Sequence, residues 1–219
     1  MTQFSSTEKS KVKRLAKRGC YDRETIYKIL DEGIICHVSF VLNGQPFIIP
    51  TAYVRAGDDL YIHGSKANRM MNLLNEGADA CISVTLMDGY VLARSAFHHS
   101  MNYRSAVLFG KAKIVEDRNE KIMALKEFSE HFIPGRWDDV RTPNDKELDA
   151  TIVLKFSIDE ASAKIRTGPP ADDKEDYALD IWAGVIPFKI TAGEPVPDSV
   201  LKESIPIPGY LSKFISGRK

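Results

Sequence analysis

Apolar and polar positions alternate through much of the first half of the chain. Ile34 to Leu42 alternates and is rich in β-branched residues, Phe47 to Arg55 reads as the returning strand, and Asn43-Gly44 between them is a hairpin turn signal. Gly57-Asp58-Asp59 turns the chain again before a short strand, Leu60 to His63. Elsewhere the period lengthens. Asp22 caps a helix through Glu32 with Ile26, Ile29 and Leu30 on one face, and Gly64 to Asn75 carries Met70, Leu73 and Leu74 at helical spacing. Ala80 to Leu86 and Tyr90 to Ala93 flank a predicted turn at Asp88-Gly89. A long strand over Tyr103 to Val115 precedes an amphipathic helix, Glu116 to Phe132, with Ile122, Leu125, Phe128 and Phe132 on its buried side. The irregular stretch Pro134 to Asp145 follows. Strands come next at Thr151 to Ile158, Ser162 to Thr167 and Ile181 to Ile190, then a proline-studded tail. Many short strands with closely spaced turns predict a mainly β protein with flanking helices, an antiparallel barrel. The predicted organisation is a flexible N-terminal arm (1–13), a barrel domain (14–190) and a C-terminal surface tail (191–219).

Composition narrows the partners. The 30 lysines and arginines balance the 30 aspartates and glutamates, so bulk attraction to nucleic acid or to a membrane surface is not expected. The three cysteines, Cys20, Cys36 and Cys81, form no CxxC and no zinc spacing, and read as reduced thiols. The N-terminus lacks the apolar core of a signal peptide, and no apolar run approaches the roughly 20 residues that span a bilayer. A soluble, cytoplasmic protein is the expectation. No GxGxxG follows a strand and no GxSxG occurs, so neither a dinucleotide fingerprint nor a nucleophile elbow is present.

Four segments carry candidate chemistry. Ala93 to Ser105 loads a predicted strand with Arg94, His98, His99, Asn102 and Arg104; buried polar groups need partners, so an anion is expected beside it. Adjacent histidines on a strand point to opposite faces, so His98-His99 does not predict a metal. In Ile62-His63-Gly64-Ser65-Lys66-Ala67-Asn68-Arg69, a strand gives way to a helix start bearing two cations, which an anion on the free N–H groups would stabilise. The plain alternative is a solvated helix start. Lys164 and Arg166 lie two apart on a strand, hence on one face, beside Gly168-Pro169-Pro170; a protected edge strand is the alternative. Trp182 followed by Ala183-Gly184 leaves room for a flat partner, or is an ordinary packed indole.

The order and spacing of these segments, with Arg18-Gly19-Cys20-Tyr21-Asp22 and Pro50-Thr51-Ala52-Tyr53, resemble the pyridoxamine 5'-phosphate oxidase-like group of flavin-binding split barrels over residues 14–190. The nearest subgroup looks like FMN-binding proteins related to nitroimidazole-resistance reductases. The resemblance implies a six-stranded antiparallel split barrel, a homodimer and FMN between the subunits. It implies that Pro50, Thr51, Ala52 and Tyr53 line the flavin ring, with Ile62 and His63 beside the ring and ribityl chain. Ser65, Lys66, Asn68 and Arg69 match the phosphate grip, Arg104 and Ser105 the strand reaching in from the other subunit, and Trp182 the C-terminal tryptophan. The expected function is a flavin-dependent oxidoreductase acting on a small molecule, with His63, Arg104 and Arg166 as catalytic candidates and Lys164 and Arg166 as substrate-binding candidates. The chain departs from the true oxidase, because no histidine follows Trp182. The alternatives are a non-catalytic flavin binder, a haem-binding or haem-degrading barrel with His63, His98 or His99 as axial ligand, and a cofactor-free interaction module.

Overall fold

The computed structural model describes residues 2–217. In chain order its elements are β1 (Gly19–Cys20), α1 (Arg23–Glu32), β2 (Ile35–Leu42), β3 (Gln45–Ala52), β4 (Val54–Ala56), β5 (Asp59–Ser65), α2 (Arg69–Asn75) and β6 (Asp79–Leu92). Then come β7 (Ser100–Lys111), β8 (Lys113–Ile114), α3 (Arg118–Phe132), α4 (Asp145–Ala150), β9 (Thr151–Ser157), β10 (Glu160–Arg166), β11 (Gly184–Pro187) and α5 (Gly209–Gly217). Local chemistry explains the clearest of these. The Asp22 carboxylate accepts from the Thr25 N–H at 2.9 Å and starts α1. Asn43 and Gly44 adopt φ of 51° and 77°, the left-handed pair that a tight β2–β3 hairpin needs.

The strands form two antiparallel sheets. One is ordered β1-β10-β7-β6-β2-β3 with β11 also pairing β6, and the other is β4-β5-β9-β8. The chain crosses between them four times: at three tight corners, Tyr53 between β3 and β4, Ala112 between β7 and β8, and Ile158-Asp159 between β9 and β10, and once through α2, from β5 to β6. Counted through those corners, β2, β3/β4, β5, β6, β7/β8 and β9/β10 are six long strands, and β1 and β11 are short additions. This is a mainly β split barrel, as the pattern and the resemblance imply. Tyr53 shows how a corner is fixed. Its side chain is fully buried, and its hydroxyl donates to the Leu30 carbonyl at 2.6 Å, tying the end of α1 to the sheet crossing.

Several local expectations change. The Asp88-Gly89 pair is not a turn, because β6 runs through it. Met87 faces Tyr103 and Gly89 faces Asn102, which leaves Asp88 as the extra residue of a β-bulge. Helix α2 starts at Arg69 rather than Gly64, because β5 continues to Ser65 and Asn68 supplies the cap. His98 ends a 3-10 turn, Ala96–His98, and His99 follows it, so neither lies on a strand. The stretch after α3 leads into α4, which an Asn144/Glu147 capping box starts. The strand expected over 181–190 is confined to Gly184–Pro187, and the tail contains α5. The first residues lie against the barrel, with Phe4 only 4% exposed. No described helix is long and apolar enough to cross a membrane.

Candidate functional site

The turn from β5 to α2 gathers the best-formed group of candidates. His63 lies on β5 opposite Val153 and packs edge-on against Phe128 of α3, with ring centres 4.4 Å apart. Its Nδ1 is buried and has no hydrogen-bond partner among the described residues. Burial holds the imidazole below its ordinary pKa, so the ring is neutral near pH 7. Beyond it, Ser65 through Arg69 are exposed. The Ser65 hydroxyl accepts from the Ala67 N–H at 3.2 Å. The Asn68 side-chain oxygen accepts from the Met70 and Met71 N–H groups at 2.9 and 3.3 Å, so that oxygen caps α2. The Lys66 N–H donates to the Ala150 carbonyl at 3.1 Å and pins the loop to the end of α4.

Neither Lys66 nor Arg69 makes an ion pair among the described residues. The Arg69 guanidinium lies 4.8 Å above the Phe47 ring of β3, which brings the loop alongside the edge strand that carries Pro50, Thr51 and Ala52. A third cation was not apparent in the sequence. Lys121 of α3 donates to the Leu148 carbonyl at 2.5 Å, and burial first, then the charges of Lys66 and Arg118, lower its pKa. Its place beside Lys66 depends on the packing of α3, which no local motif announces.

The other candidates are held elsewhere. Tyr53 and Ile62 are wholly inside the core, so only their backbone groups are available to a ligand. Arg104 bridges Glu32 and Asp88, with contacts to Asp88 of 2.7 to 3.3 Å, and these two carboxylates raise its pKa and counter its charge. The free anion-seeking charge expected there is therefore absent. Arg166 is 9% exposed; it donates to the Asn102 side-chain oxygen and to the Gly168 and Pro169 carbonyls at 3.4 and 3.3 Å. It braces the loop after β10 and does not share an open face with Lys164. The Ser105 hydroxyl donates to the Lys164 carbonyl at 3.2 Å. Trp182 is 66% exposed, and its ring lies over Gly184, where an added Cβ would come within 3.0 Å; the small residue makes room for the chain's own indole. With β7 three strands from β3, Arg104 and Ser105 lie about 14 Å across the sheet from the β3 edge.

A second polar group joins the loops after β6 and β10. Asp172 accepts from the Arg94 and Ser95 N–H groups at 2.9 and 3.2 Å, and Arg94 Nε is buried without a partner among the described residues. His98, Asp173 and Asp176 bring three possible ligand atoms within 4.8 Å of one another, a grouping the sequence did not suggest. The His99 Nδ1 lies 3.1 Å from the Ser95 carbonyl and 3.3 Å from the Ala93 N–H.

The pyridoxamine 5'-phosphate oxidase family profile matches residues 22–165. No curated protein matches the sequence. Among solved structures, the flavocytochrome Anf3 of Azotobacter vinelandii is 42% identical with a TM-score of 0.89, covering 94% of this chain and 96% of its own. The FAD and heme binding protein of Mycobacterium smegmatis is 36% identical with a TM-score of 0.87, covering 90% of this chain and 97% of its own. A Bacteroides thetaiotaomicron chain provisionally named as a 5-nitroimidazole antibiotic resistance protein is 26% identical with a TM-score of 0.57, covering 67% of this chain and 86% of its own. From the barrel, its three corners and these matches, the chain belongs to the pyridoxamine 5'-phosphate oxidase family.

Proposed function

We propose that this chain is a flavin-binding oxidoreductase that also binds haem. The observation that carries the flavin is the pair of unpaired cations, Lys66 and Arg69, on a fixed loop beside the orphaned His63 Nδ1 and the open β3 edge. The residues fit the group. Lys66 and Arg69 hold phosphate and the β3 backbone faces the ring, while His63 packs behind the loop against Phe128. The M. smegmatis relative, matched over 97% of its own length, is named for FAD, which favours FAD over FMN. When bound, a flavin supplies the electron-transfer chemistry, while the protein binds, orients and shields it. On the family resemblance the working form is a homodimer in which Ser105 reaches that site from the second copy, while Arg104 is held by Glu32 and Asp88.

The haem reading rests on the two whole-length relatives, both named for flavin and haem together. His99 is the imidazole whose surroundings suit an axial ligand. His99 is exposed, and its Nδ1 lies 3.1 Å from the Ser95 carbonyl and 3.3 Å from the Ala93 N–H; in the tautomer that donates from Nδ1 to Ser95, Nε2 would hold the iron. The substrate is a small molecule other than pyridoxamine phosphate, since the tail offers no histidine.

The test is a visible spectrum of the purified protein, followed by chromatography of the released cofactors. The expected result is flavin absorption with FAD in the extract, and a Soret band that His99→Ala abolishes while flavin remains. A colourless protein that takes up neither group would overturn the reading.

A further inference from the structure

We propose that His98, Asp173 and Asp176 form a binding site for a divalent first-row transition metal of the zinc class. Each offers one donor atom, and the three lie within 4.8 Å of one another. They come from two loops distant in sequence, the one after β6 and the one after β10. His98 and Asp176 are half-buried and Asp173 is exposed, so the ion has a route in from solvent. The site uses His98 alone and does not require adjacent histidines to share an ion.

The donors stand on a fixed frame. The side chain of Asp172, the residue before the first acidic donor, is fully enclosed. Its carboxylate accepts from the Arg94 and Ser95 N–H groups at 2.9 and 3.2 Å and pairs with the Arg94 guanidinium at 3.2 Å, which ties the two loops together. On one side of that tie, the Ser95 hydroxyl accepts from the Phe97 N–H at 3.2 Å and the Ser95 carbonyl accepts from the His98 N–H at 3.1 Å. The resulting 3-10 turn sets the place of His98. On the other side, Asp173 precedes the 3-10 turn Lys174–Ala178, and its carbonyl accepts from the Asp176 N–H at 3.1 Å. Residues three apart in such a turn share a side, which brings both carboxylates to the imidazole.

Charge and distance point to a cation. Neither Asp173 nor Asp176 pairs with a lysine or an arginine among the described residues, and Lys174 between them makes no ion pair there. Arg94 is committed to Asp172. The His98 Nε2 lies 3.3 Å from the Asp173 carboxylate. That is longer than a charge-assisted hydrogen bond, about 2.7 to 2.9 Å. It matches the roughly 3.4 Å between two donors that share a tetrahedral zinc at about 2.1 Å. Rotation of the Asp176 side chain brings the third donor to the same point. The donor set selects among metals. Calcium and magnesium take oxygen donors, whereas an imidazole beside carboxylates, without a thiolate, suits zinc and its first-row neighbours. Three protein donors leave a fourth position to water. Bound there, the ion holds the loop after β10 against the turn that carries His98. The site shares no residue with the β5–α2 loop and needs neither flavin nor haem.

The test is calorimetric titration of the full-length protein, dialysed against EDTA and then against buffer, with zinc chloride and with calcium chloride. The expected result is one zinc per chain bound through these residues, with calcium at least about tenfold weaker. His98→Ala and Asp176→Asn are each expected to weaken zinc about tenfold or more, with the melting temperature of the metal-free protein unchanged. Glu175→Gln removes a neighbouring charge but no donor, and is expected to leave the affinity unchanged. No saturable binding at roughly 100 μM zinc, full affinity in His98→Ala, calcium binding as tight as zinc, or a loss in Glu175→Gln equal to that in Asp176→Asn would each overturn the proposal. The last two results would mean diffuse attraction of cations to an acidic loop.

Discussion

Arg104 and Arg166 on predicted strands, and Lys66 and Arg69 at a predicted helix start, were all singled out in the sequence as anion-seeking cations. The fold treats the two pairs differently. Arg104 sits between Asp88 and Glu32, and Arg166 braces Asn102 and two loop carbonyls. Lys66 and Arg69 stand on a loop whose backbone and cap are satisfied internally, with no counter-charge among the described residues. The first pair stabilises the protein, and the second remains available to a ligand. What separates them is the position of the carboxylates and carbonyls, which lie far away in sequence.

The comparison can be broken at each residue. Arg166→Leu is expected to cost about 3 kcal/mol in chemical denaturation, because it removes charged hydrogen bonds in a buried setting and leaves the Asn102 oxygen unpaired. A near-neutral effect would return Arg166 to the ligand-binding class. Arg69→Ala is expected to weaken flavin binding about tenfold, about 1.4 kcal/mol, with little change in melting temperature. Arg104→Ala is expected to lower stability by about 1 kcal/mol, since its partners are partly exposed. In the cofactor-loaded protein the same variant also tests whether a second subunit uses Arg104; flavin affinity unchanged in the dimer would confine the residue to its ion pairs.

The smallest expected effect concerns pH. Burial lowers the His63 pKa from its ordinary 6.5, so the unfolded chain takes up a proton in a window where the folded chain does not. Stability from this residue is therefore full above pH 6.5 and is lost as pH falls toward the lowered value. Denaturation midpoints of His63→Gln measured from pH 7.5 to 5.5 are expected to fall less steeply than those of the parent protein. An equal slope would mean that His63 takes up its proton as readily folded as unfolded.

Much of the fold was legible. Alternation set β2, β3 and β5, Asn43-Gly44 set their hairpin, and Asp22 set the start of α1. Asp88-Gly89 misled because the same dipeptide serves a turn or a bulge, and only the facing strand decides. The histidine pair misled because a polar run beside strand formers did not reveal the 3-10 turn that carries His98. Of the site, Lys66 and Arg69 were legible as a cation pair at a strand-to-helix turn, with His63 at the end of that strand. Lys121, and the neutralisation of Arg104 by a bulge residue and a helix terminus, were not, because both depend on contacts between distant elements. The arm was legible as basic but not as docked, since Phe4 is a lone apolar residue among polar neighbours.

The most direct measurement is a fluorescence titration of cofactor-stripped protein with FAD and with FMN, run beside the Lys66→Ala/Arg69→Ala double variant. The expected result is saturable binding by the parent chain, tighter for FAD, and about 100-fold weaker binding by a double variant that melts at the same temperature. Equal affinity in the two proteins, or no flavin binding by the parent, would contradict the assignment of the β5–α2 loop as the flavin site.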